Sequence, residues 1–137
     1  MKTLRWFLAR LFLSSILLAY GQSFGAAALD ATQTISGGGV TAKVTYSNPK
    51  SDDYPRFQVA LDTHSVALDS YDLKNITVLR DDNGKEYLST AAENKGAGHH
   101  RQVTLTFPKV LPDAKRVELV IKDIAGVKER NFRWNLD

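Results

Sequence analysis

Cysteine is absent from all 137 residues. No disulfide can staple the chain, no thiolate is available to a metal, and no lipid-modified cysteine can anchor it. The chain also lacks an apolar run long enough to cross a bilayer. Its longest, "LFLSSILLAY", covers about ten residues, whereas a spanning helix needs roughly 20. Helical periodicity sustained over three turns, internal repeats and low-complexity segments are missing as well. Histidine is scarce, with 3 residues in all.

A charge excess is lacking where it would matter. The whole chain is formally +3, but three of its 18 Lys and Arg (Lys2, Arg5 and Arg10) fall within residues 1–28, and none of its 15 Asp and Glu do. The remainder holds 15 of each sign and is formally neutral. A nucleic-acid binder carries a basic excess on its folded part, so this composition argues against nucleic acid as a partner. No polybasic or acidic block points to a membrane surface either.

The amino-terminal stretch has the order of an export signal. Basic residues precede the apolar run, and small residues follow it, with Ala26 and Ala28 in the spacing that signal peptidase accepts. This predicts a cleaved signal over 1–28, a mature chain starting at Leu29, and a periplasmic or extracellular location without a membrane anchor. Residues 29–137 then make one ordinary domain, long enough to bury a single core unaided.

Within that domain the period is two. Val40, Ala42, Val44 and Tyr46 share one side of "VTAKVTYS"; Phe57, Val59 and Leu61 do so in "RFQVALD". "ITVLRD" and "KEYLS" flank Asp82-Asn83-Gly84, a hairpin signal. "QVTLTF" aligns Val103, Leu105 and Phe107, "VELVIKD" aligns Val117, Leu119 and Ile121, and "NFRWNL" aligns Phe132, Trp134 and Leu136. A weak first strand is expected at Gln33–Ser36. Short alternating strands separated by turn residues predict an all-β fold: an antiparallel, immunoglobulin-like β-sandwich of seven or eight strands. One helical turn is expected in "SVALDSYDLKN", capped by Ser70 and holding Tyr71 and Leu73.

The histidines fall in two short stretches, His64 in "LDTHS" and His99-His100 in "GAGHH". Each stretch adjoins a strand end, and Gly96 and Gly98 permit an irregular backbone beside the pair. Neutral imidazole is a ligand for Cu(II) and Zn(II), and a fold can draw ligands from separate segments. His64, His99, His100 and Asp62 are therefore the candidate metal residues, with Asp62 or Asp72 as an oxygen ligand or an orienting partner. The bland alternative makes these imidazoles loop struts held by neighbouring hydroxyls and carbonyls. Ser65 beside His64 invites a hydrolase reading, but no G-x-S-x-G elbow surrounds it, and sequence neighbours seldom have nucleophile–base geometry. Asp52, Asp53, Asp81 and Asp82 lie in turn-rich sequence, where Asp serves local backbone bonds. Asn75-Ile76-Thr77 is formally a glycosylation sequon. Asp123, Glu129 and Arg130 surround the last hairpin and are read as surface charge with an ion pair across the turn.

The blocks "FQVALDTHSVALDSYDL", "LRDDNGKEY", "GHHRQVTLTFP" and "LVIKDIAGVKERNFRW" together resemble a family of small exported or membrane-tethered prokaryotic domains. That family is marked by LDTHS, GGHH and a closing ERxFxW, and has no settled function. The likeness spans roughly residues 55–136, with Ala97-Gly98 where paired glycines would stand. It implies His64, His99 and His100 as the residues to test, and implies neither a reaction nor a cofactor. The sequence thus predicts a non-enzymatic exported accessory or binding module, with a histidine-held divalent metal. The alternatives are a metal-free protein-interaction or adhesion domain, with an unidentified protein partner, and a hydrolase with His64 as base.

Overall fold

A computed structural model describes residues 31–49 and 52–136. The export signal expected over 1–28 lies outside the described residues. The described elements are nine strands and one helical turn: β1 (Thr32–Gly37), β2 (Val40–Tyr46), β3 (Arg56–Thr63), α1 (Leu73–Ile76), β4 (Thr77–Asp81), β5 (Glu86–Leu88), β6 (Ala91–Lys95), β7 (His100–Thr106), β8 (Arg116–Ile124) and β9 (Val127–Asn135). They form two antiparallel sheets packed face to face. One has the order β1-β2-β3-β7-β6 and the other β5-β4-β8-β9. The protein is an all-β sandwich, and among the described residues no helix is long and apolar enough to cross a membrane.

Alternation decides which side chains meet. Val44 pairs with Val59 and Val59 with Val103 across β2, β3 and β7, and all three are buried. In the other sheet, Leu79 pairs with Leu119 and Leu119 with Phe132, again all buried. Because the side-chain period is two, a slip of one residue would turn either row outward. The aromatic residues of these inner faces gather at one end of the sandwich. Phe57 stacks on Tyr46 at 4.4 Å, and its ring centre lies 5.2 Å from that of Trp134 and 5.8 Å from that of Phe107.

Two details depart from the sequence reading. The described residues hold nine strands rather than seven or eight, because the alternation gives no sign of β6. Its sequence, AAENK, carries no alternating apolar residues, since β6 is a largely exposed edge strand. The helical turn is capped by Asp72, not Ser70. The Asp72 carboxylate accepts the amide of Lys74 at 3.1 Å and the side-chain amide of Asn75 at 2.6 Å. This leaves Tyr71 before the turn, with only Leu73 of the expected pair inside it. The turn itself touches β4, β6 and β8, bridging the two sheets.

The Asp82-Asn83-Gly84 signal does join two paired strands, β4 and β5. Asp81, at its base, points inward and is only 5 % exposed. Its carboxylate is nevertheless satisfied by the amides of Asn83 and Lys85 at 3.0 and 2.9 Å and by the Tyr87 hydroxyl at 3.0 Å.

Candidate functional site

The two histidine stretches come together through strand pairing. In the β3–β7 register Asp62 stands opposite His100, and one step further the Thr63 amide donates to the His99 carbonyl at 3.0 Å. His64 follows directly. All three histidines therefore sit at one end of the sandwich, away from the aromatic cluster, and all are exposed. His100 Nδ1 lies 2.6 Å from Asp62 Oδ1. The two side chains keep 72 % and 53 % of their exposure, so this is a surface pair open to solvent.

That contact gives Asp62 a specific chemical part. A carboxylate on Nδ1 fixes the ring's orientation and favours the tautomer with its proton there, leaving Nε2 as the free donor atom. Asp62 is an orienting partner for His100 in this arrangement. Asp72 is occupied as the cap of α1 and takes no part. The His64 and His99 imidazoles make no hydrogen bond to the described residues, and no group of three or more His, Asp or Glu among them is placed to hold a metal ion. The Ser65 amide is tied to the Thr63 hydroxyl at 3.2 Å, and no described hydrogen bond joins the Ser65 hydroxyl to an imidazole.

The backbone carrying these residues is held by a set of polar side chains. The Thr63 hydroxyl donates to the Gly39 carbonyl at 2.7 Å while accepting the amides of Ser65 and Val66. Arg101 donates to the carbonyls of Leu68 and Tyr71 at 2.8 and 2.5 Å, pinning the β3–α1 connection to β7. Asp69 accepts the Gly98 amide at 3.0 Å, fixing the loop ahead of the histidine pair. At Gly38, where φ is +61°, an added Cβ would lie 2.3 Å from the Ala125 carbonyl oxygen. The β1–β2 and β8–β9 turns are thus in contact.

Arg130 departs most from the sequence reading. It is 1 % exposed, and no carboxylate pairs with it among the described residues. Instead it donates to the carbonyls of Gly37 and Ile124 at 2.6 and 3.1 Å, with its Nε left without a partner. Burial pulls its pKa below the usual arginine value, partly opposed by the nearby Tyr71. The expected ion pair across the hairpin does not form: Glu129 lies instead 3.9 Å from Arg80 on the outer face of the second sheet. A signal for Arg130 was present, since it continues the inward set of Phe132 and Trp134.

A separate concavity lies at the opposite end of the sandwich. An open groove of about 510 Å³ lies at the aromatic end, lined in part by Tyr46, Pro55, Lys109, Leu111 and Pro112. Asp53, on its rim, accepts the following amide of Tyr54 at 2.8 Å, a turn role of the expected kind. Compared with family models, curated proteins and solved structures, the chain matches none.

Proposed function

We propose that this protein is an exported, non-catalytic binding module of immunoglobulin-like type that works through its histidine end. The strand order favours that class. With β1 set aside, β2-β3-β7-β6 against β5-β4-β8-β9 follows the A-B-E-D and C′-C-F-G arrangement of such domains. Export rests on the basic, apolar and small-residue order of residues 1–28. Intact-mass measurement of the released protein tests it, with a chain starting at Leu29 expected and retention of residues 1–28 refuting it.

The observation that carries the site is the Asp62–His100 pair. A carboxylate-oriented imidazole whose Nε2 faces solvent is a ready ligand for Cu(II) or Zn(II). His64 and His99 lie on backbone joined to the same pair and supply further nitrogen once their side chains turn to an arriving ion. Calorimetric titration of copper and zinc into the tag-free protein tests this reading. Binding should fall in His100→Ala, more mildly in Asp62→Asn and His64→Ala, and at acid pH as protons compete for imidazole. Equal weak binding by all these proteins would refute the metal site. The second reading, a metal-free protein-interaction surface at the same end, is favoured by the absence of a three-residue ligand group among the described residues.

A further inference from the structure

The two lateral edges of the sandwich are treated differently. On one side β1 and β9 face each other without backbone pairing, and side chains close the gap. The Gln33 carboxamide donates to the Arg133 carbonyl at 2.5 Å and accepts the Arg133 amide at 3.1 Å, standing in for a missing strand. Trp134 and Arg130 add bonds to the carbonyls of Ala31 and Gly37. On the other side β5 is only three residues long, whereas β6 runs for five. Among the described residues β6 pairs with β7 alone, and although α1 lies near it, no hydrogen bond from elsewhere reaches its backbone.

We propose that the free edge of β6 pairs with β6 of a second copy, antiparallel and centred on Asn94. Charge arrangement selects this occupant and this register. Ala92 and Asn94 stand opposite the buried Leu105 and Val103, so Glu93 and Lys95 project from the outer face, where neither has an ion-pair partner among the described residues. A lysine on an edge discourages a passing strand. In the register centred on Asn94, however, Glu93 of each copy lies opposite Lys95 of the other, giving two favourable cross-strand pairs. Moving the register by two residues places Glu93 opposite Glu93, or Lys95 opposite Lys95. Moving it by one sets outward residues against inward ones. Only the register centred on Asn94 sets opposite charges against each other, and Ala91 and Ala92 add no bulk against it. The two five-stranded sheets then continue into one another. The inference does not rest on the metal reading.

Sedimentation velocity over a concentration series tests it on the purified protein in the form the cell accumulates. A weak, concentration-dependent dimer is expected, since so short an edge buries little surface. Glu93→Lys or Lys95→Glu alone turns both pairs repulsive and should weaken self-association by about tenfold. The double reversal should restore it. Mixing the two single variants should produce a heterodimer, because the wholly basic edge of one then meets the wholly acidic edge of the other. A wild-type protein that stays monomeric up to about 1 mM would overturn the proposal, as would single variants that fail to complement on mixing.

Discussion

The two ends of this sandwich are held by different chemistry. At one, Tyr46, Phe57, Phe107 and Trp134 bury rings against one another. At the other, the same inner faces end in polar residues, and Thr63, Arg101 and Arg130 tie turn carbonyls with hydrogen bonds. The first arrangement is non-directional and tolerates adjustment; the second sets specific backbone positions. The histidines, which need fixed positions to act together, stand at the second end. The difference assigns stability chiefly to the aromatic end and placement to the polar end.

The largest effect should follow from emptying the aromatic end. Trp134 is 2 % exposed, and its truncation leaves a cavity beside Phe57 and Tyr46 while the Ala31 carbonyl loses a donor. Trp134→Ala is expected to cost about 3–5 kcal/mol in denaturant unfolding, a large share of a domain's 5–15 kcal/mol. A loss below roughly 1 kcal/mol would mean that this end does not hold the fold.

Arg130 tests the polar end. Arg130→Ala removes the hydrogen bonds to the Gly37 and Ile124 carbonyls and a large buried side chain, with an expected cost of about 2–4 kcal/mol. Arg130→Met should cost less, because it keeps most of the volume and removes a buried charge that burial disfavours. Its backbone signature should remain, however. Hydrogen exchange at Gly38 and Ala125 should quicken in both variants, with Tyr46 and Leu136 little changed. Uniform acceleration across the chain would show that Arg130 stabilises the domain generally and does not position these turns.

Thr63→Val is a finer cut at the same end. One hydroxyl serves the β1–β2 turn and the β3–α1 connection together, so its loss should cost about 1–2 kcal/mol with little change in volume. Unfolding measurements check the size. A neutral result would mean that Arg101 and Arg130 suffice to hold the loops beside His64.

Much of this was legible in the sequence. The period-two sets placed the core of both sheets, because a half-buried strand writes its orientation into every second residue. Extended one step, the same parity reaches the polar end: Arg101 precedes Val103, Arg130 precedes Phe132, and Thr63 follows Leu61. A charged side chain on an inward position reads as surface by composition, and only the turn carbonyls waiting inside reverse that reading. Three of those carbonyls, of Gly37, Leu68 and Tyr71, are remote in sequence from the arginines that reach them. The strand β6 carried no pattern at all, since an edge paired on one side and exposed has little to bury. Adjacency of Asp62 and His100 required the β3–β7 register, which alternation alone leaves free by steps of two.

The outer face of the second sheet supplies the smallest effect and a control for both ends. Arg80 there meets Glu86 at 2.8 Å, Glu118 at 3.3 Å and Glu129 at 3.9 Å. Its hydrogen bond holds the Glu86 carboxyl below the usual carboxylate range, with Lys122 adding to the effect. A carboxylate whose folded pKa is depressed stabilises the fold fully above its unfolded value, about 4.3, and loses that contribution as pH falls through the folded value. The Glu86 side chain is 42 % exposed, so solvent screens the pair and limits it to about 0.5 kcal/mol or less. Glu86→Gln should therefore unfold slightly earlier than wild type from about pH 5 to 7, with the gap closing near pH 3. Paired denaturant titrations at these pH values measure it. A gap larger than that of Thr63→Val would put the surface lattice ahead of the polar end and reverse the ranking drawn from the two ends.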